Sequence, residues 1–97
     1  MLELLDVEEE GYYYDIPLLP LKQRNSLLLG DAVQLMIHDG KSGEIHRGEV
    51  LWFRVIGVEK DFYYGELVET PSKLEYTGKG SRIKFESRHV IATKNGD

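Results

Sequence analysis

The sequence predicts an all-β fold: a small antiparallel barrel of five to six short strands with no long helix. Three observations carry this. Apolar and polar residues alternate with period two in several short runs, as half-buried strands do. Glycine, aspartate, serine and proline clusters separate those runs as turns. No segment keeps a helical period over several turns. Curling such a sheet closed also removes most of the exposed strand edges it would otherwise carry.

Taken in order, residues 1–10 mix Leu2, Leu4, Leu5 and Val7 with acids, and read as a short strand, one helical turn or a loose arm. Glu8-Glu9-Glu10-Gly11 punctuates the chain before Tyr12–Ile16, which reads as a short strand. Pro17 and Pro20 stop it, because proline has no N–H for a ladder. Residues 18–29 lack a clean period and read as a long connection with a helical turn.

From Gly30-Asp31 the pattern sharpens. In DAVQLMIH, Val33, Leu35 and Ile37 alternate with Gln34, Met36 and His38. The segment DGKSG is turn chemistry, and a long strand over roughly 45–58 follows. Phe53 and Val55 share one face of it; Trp52, Arg54 and Ile56 share the other, and Gly57 breaks the alternation as a bulge would. Residues 59–61 turn into a strand over 62–69, with Tyr63, Gly65 and Leu67 on one face and Phe62, Tyr64, Glu66 and Val68 on the other. Thr70-Pro71-Ser72 ends it. After Gly78-Lys79-Gly80, residues 81–86 send Ile83 and Phe85 inward and Arg82 and Lys84 outward. Residues 86–91 close the fold with a 3₁₀ turn and a last short strand. With no helix of useful length between the third and fourth strands, an SH3-like barrel fits better than an OB-fold.

The series LGDAVQLMIHDG, GEVLWFRVIGV, YYGELVETP and GKGSRIKFESRHVI resembles a group of small bacterial domains with no assigned activity. The shared pattern is a G-D-x-V-x-L opening, an acid shortly before W-F-x-V, a G-x-L strand, a Pro, and a G-x-x-I-x-F close ending in H-V. The resemblance covers about residues 27–91. It implies an SH3-like barrel in a bacterial or phage setting and brings no catalytic residues with it. On this reading the chain is one domain, with an N-terminal arm and connection over 1–26 and a barrel core over 27–91.

Composition narrows the function. The absence of cysteine removes disulfides, thiol nucleophiles and thiolate zinc sites. The acidic start lacks the basic region of a signal peptide, and no apolar run approaches a membrane span, so a cytoplasmic protein without a membrane role is expected. Net charge is −5, unevenly spread: residues 1–24 and 25–70 each carry −4, whereas residues 71–96 carry +4. None of the familiar nucleophile, zincin or phosphate-loop motifs occurs. His38, His46 and His89 lack ligand spacing with Asp39, Glu44 or Glu49, so neither a metal, a cofactor nor an enzyme activity is expected.

The aromatic set is the better lead. With Phe53, Val55, Tyr63 and Leu67 inside, Trp52, Arg54, Phe62 and Tyr64 project outward, and Trp, Tyr and Arg dominate interface energetics. The expected partner is another protein, in the manner of a small inhibitor, immunity or accessory protein. The competing reading of those rings is a second small core, with Trp52 beneath Tyr12–Ile16. Tyr12-Tyr13-Tyr14 read as a strap over a barrel edge or as interface rings, with at least one exposed by alternation; Glu8-Glu9-Glu10 read as a solvated arm or as phosphate mimics. The alternative function is a nucleic-acid-binding barrel using Arg82, Lys84 and Arg88, which the overall acidity makes the less favoured partner class.

Overall fold

The computed structural model describes residues 3–38, 48–72 and 78–95. Among the described residues, six antiparallel strands curl into a small, nearly closed barrel: β1 (Glu3–Leu4), β2 (Ala32–His38), β3 (Glu49–Val58), β4 (Tyr63–Leu67), β5 (Arg82–Phe85) and β6 (Ala92–Lys94). The sheet runs β1-β2-β3-β4-β5, and β6 also pairs with β2. β2 is the centre of this arrangement. It meets β3 from Ala32↔Arg54 to Ile37↔Glu49, while its other edge takes β6 opposite Ala32–Gln34 and β1 opposite Ile37–His38. A 3₁₀ turn over Ser87–His89 leads into β6. This layout fits an SH3-like fold.

Alternation builds the core. Val33, Leu35 and Ile37 of β2, Leu51, Phe53 and Val55 of β3, and Tyr63 and Leu67 of β4 are all buried, together with Phe85, Leu27 and Val90. The Tyr63 and Phe85 rings stack at 5.3 Å between centroids. Gly65 makes room for Phe53 and Phe85: a Cβ there would stand 3.2 Å from both Phe53 Cβ and Phe85 Cε1. The expected bulge is present, with the β3–β4 register shifting between Val55 and Gly57. It inserts Ile56 as an extra outward residue and brings Gly57 opposite Tyr64.

The described part of the long strand begins at Glu49; residues 45–47 and the DGKSG turn lie outside the described residues, as does His46. The strand expected over 62–69 is ordered as a ladder only over Tyr63–Leu67. Of residues 1–10, those described, 3–10, hold two of the forms expected, the strand β1 and a single turn of helix α1 (Val7–Glu10). The connection holds the expected helical turn, α2 (Leu21–Arg24).

Tyr12–Ile16 departs from the expectation. Gly11–Tyr14 is a 3₁₀ turn, not a strand. The cause is local. Asp6 caps α1 by accepting from the N–H groups of Glu8 and Glu9, so the chain enters Gly11 already helical. Asp15 then takes a left-handed φ of 55°, and the Ile16 N–H donates back to Gly11 O at 3.1 Å. Aspartate tolerates that conformation better than most residues. Backbone groups that a strand would offer to a neighbour are thus satisfied within the turn.

Candidate protein-binding face

The outer side of β3, β4 and β5 collects most of the residues that the sequence marks. Cross-strand register sets their rows. Arg54 stands opposite Glu66, and Glu66 opposite Arg82, so one row reads cation, anion, cation. Arg82 Nε lies 3.5 Å from Glu66 Oε2. The next row holds Tyr64 opposite Lys84, with Ile56 beside it on β3.

Phe62 and Tyr64 meet edge to face at 5.4 Å. The Lys84 ammonium sits 4.0 Å above the Phe62 ring, where the quadrupole of the ring attracts a cation. Tyr64 itself is 41% exposed. Its ring lies over Gly57, where a Cβ would come within 2.9 Å of Tyr64 Cδ2. The missing side chain at Gly57 therefore seats the ring against the strand, and one exposed aromatic face is held in place at small entropic cost. Ile56, Tyr64, Arg82, Ile83 and Lys84 line an open groove of about 390 Å³.

The four residues expected to act together are distributed as follows. Phe62 and Tyr64 are in contact, and Arg54 is exposed in the adjoining row. Trp52 lies four residues from Ile56 along β3, about 13 Å at the rise of a strand, and is half-buried. Its N–H donates to Glu69 Oε2 at 2.7 Å, and its carbonyl accepts from Val68 N–H at 3.2 Å. Trp52 thus marks the far end of the face and is not in the Phe62–Tyr64 cluster. Of the segment expected to cover it in the competing reading, Tyr12 and Tyr13 are themselves 83% and 77% exposed.

The basic set is split. Arg82 and Lys84 join the face just described, but Arg88 belongs to the 3₁₀ turn after β5 and pairs with Asp6 at 3.6 Å and Glu86 at 3.3 Å. Among the described residues, no three His, Cys, Asp or Glu side chains come together as a metal would require. His38 lies 3.8 Å from Glu3.

Two features escape sequence reading. One is Arg24, which is 4% exposed. Its Nε donates to Leu19 O at 2.8 Å, and its Nη1 to Glu8 Oε2 at 2.5 Å and Ser87 O at 3.2 Å. The guanidinium therefore joins α1, the proline segment and the 3₁₀ turn. Nothing in the LKQR stretch announces this, since the acceptors come from distant parts of the chain. The other is the contribution of Ile56 and Lys84 to the face, for which the signals were present: both are outward by alternation, and Gly57 displays the bulge.

The 3₁₀ turn that Arg24 reaches at Ser87 also carries His89. This histidine closes a capping box, with Nδ1 accepting from the Glu86 N–H at 2.9 Å while the Glu86 side chain accepts from the His89 backbone. Burial, and then the charge of Arg88, push the imidazole below its ordinary value; Glu86, Asp6 and Glu8 oppose them.

No family model, curated protein or solved structure matches the chain, so the residues and their geometry carry the functional reading.

Proposed function

We propose that the chain is a non-enzymatic binding module that captures another protein on the outer face of β3–β5, as a small accessory, immunity or inhibitory protein does. The observation that carries this reading is Tyr64: a large ring, 41% exposed, seated on Gly57 and backed by Phe62. Exposed, pre-positioned aromatic side chains beside arginine are the usual energetic centres of protein interfaces. Ile56 extends the apolar ground, while Arg54, Arg82 and Lys84 surround Glu66 with excess positive charge. A face of this kind suits a partner segment that is acidic and carries an aromatic or branched aliphatic side chain. The reading takes the chain as a cytoplasmic SH3-like barrel of bacterial or phage origin, on the strength of its sequence resemblance.

The test is affinity capture with the wild-type chain and with Arg54→Ala/Tyr64→Ala, each with and without nuclease. A protein retained by the wild type, resistant to nuclease and bound roughly 30-fold more weakly by the double variant is the expected result. Equal retention by both chains would overturn the reading. Loss on nuclease treatment would instead favour nucleic acid as the ligand.

A further inference from the structure

The second exposed aromatic group is the pair Tyr12–Tyr13. Both rings stand almost free of the protein, at 83% and 77% exposure, and they pack on each other edge to face at 5.2 Å and 71°. A domain this small rarely leaves two adjacent large rings uncovered. The mount is well defined. Asp6 caps the helix below, Gly11 is buried at the base of the turn, and the Ile16 N–H closes the loop on Gly11 O. The rings therefore project from a short, locally satisfied turn and lose little freedom on docking.

Their surroundings are anionic. Glu9, Glu10 and Asp15 are exposed around the pair, whereas Glu8 is engaged by Arg24. Within α1 and the turn that follows, no basic residue accompanies them. The result is a convex, acidic, tyrosine-tipped knob. The β3–β5 face has the complementary properties: a groove of about 390 Å³ with Ile56 and Tyr64 as its apolar ground, edged by Arg82 and Lys84.

We propose that the knob of one copy docks in the β3–β5 groove of a second copy, Tyr12 and Tyr13 against Tyr64 and Ile56, with Glu9, Glu10 and Asp15 facing Arg54, Arg82 and Lys84. The inference rests on the reading of β3–β5 as a binding face and names one occupant for it. Knob and groove are different surfaces of the same chain, so the contact is heterologous. Each bound copy leaves one knob and one groove free, and association proceeds head to tail. The net charge of −5 on each chain opposes approach at low ionic strength, while the local pairing of opposite charges favours it at contact. A small interface under these conditions is weak and reversible. A foreign partner of the same chemistry would have to displace the knob.

Sedimentation velocity tests this with three chains: the wild type, a knob variant (Tyr12→Ser/Tyr13→Ser) and a groove variant (Tyr64→Ser/Lys84→Glu). All four positions are exposed, and circular dichroism confirms that each variant keeps the fold. The wild type should grow progressively in mean mass between about 1 µM and about 1 mM, the range over which a small interface dissociates. Each variant alone should stay monomeric over that range. An equimolar mixture of the two should form a dimer and nothing larger, because only one intact knob and one intact groove can meet. A wild type that remains monomeric throughout overturns the inference, as does a mixture that stays monomeric or a variant that self-associates like the wild type. If the wild type is monomeric while Arg54→Ala/Tyr64→Ala still loses a foreign protein, self-docking falls and the binding-face reading stands. If the mixture dimerises and no foreign protein is captured, β3–β5 stands as the binding face of a second copy and capture of a foreign protein falls.

Discussion

The barrel and its N-terminal arm are held by opposite means. In the barrel, β2, β3, β4 and β5 each turn one face inward, and Val33, Leu35, Phe53, Val55, Leu67 and Phe85 disappear from solvent. Among the described residues before Pro17, the arm fully buries only Leu5, Val7 and Gly11, and these lie outside the main core cluster. Beyond the pairing of β1 with β2 and the packing of Leu4 on the core, it is fastened by polar side chains: Arg24 gathers Leu19 O, Glu8 and Ser87 O, while Arg88 reaches Asp6. Apolar burial is non-directional and spread over many contacts. A buried guanidinium is directional and fails as soon as it is removed, because its acceptors are left without a donor. The barrel should therefore respond to lost volume, and the arm to the loss of one residue.

Phe53→Ala gives the largest expected effect. The ring is 1% exposed and lies against Gly65. Removing it should cost about 3–5 kcal/mol, a large part of the 5–15 kcal/mol typical of a small domain. Urea unfolding should show one transition at a much lower midpoint, with barrel and arm lost together. A midpoint within a few tenths molar of the wild type would mean that the core does not carry the fold.

Arg24→Ala should come next, at about 2–3 kcal/mol for the Leu19 carbonyl left without a donor and for the buried stem, Ser87 O keeping the Val90 N–H. The Glu8 contribution is small within that figure, because its carboxylate is 42% exposed and water can replace the arginine. Hydrogen exchange separates this from the previous case. The amides of Glu10 and Asn25, which donate to Asp6 O and Leu21 O, should exchange faster, while those along β3 keep their protection. Equal acceleration in β3 would show that arm and barrel unfold as one unit and would dissolve the comparison.

The same contrast explains what could be read in the sequence. Strand faces are legible because side chains alternate with period two, so Phe53 and Val55 announce an inward row and Gly57 its interruption. Parity alone, however, gives a face and not a distance. It puts Trp52 on the same side as Arg54, while Phe62 and Tyr64 cluster two rows further along. The position of Lys84 over Phe62 depends on how β5 registers against β4, a non-local quantity. Tyr12–Ile16 is ambiguous for a different reason: five residues cannot display a period clearly, and the decision falls to the cap at Asp6. Arg24 leaves no trace, since the groups it joins stand at residues 8, 19 and 87.

The smallest expected effect sharpens the comparison through pH. His89 Nδ1 accepts the Glu86 N–H, so the folded turn requires that nitrogen to keep its lone pair. Burial and Arg88 already depress the imidazole below its ordinary value of 6.5. The unfolded chain then binds the proton more readily than the folded one. The contribution of His89 is accordingly complete above about pH 6.5, and is lost as pH falls through the lower folded value. His89→Gln retains an acceptor for Glu86 and cannot titrate. Urea midpoints measured from about pH 8 to about pH 5 should run parallel for the two chains in the upper part of the range. Below it the wild type should fall faster, and exchange at Glu10 should accelerate before exchange in β3, because the turn that carries His89 is where Arg24 and Arg88 fasten the arm. Parallel midpoints throughout would remove His89 from the attachment and leave Arg24 and Arg88 to hold the arm.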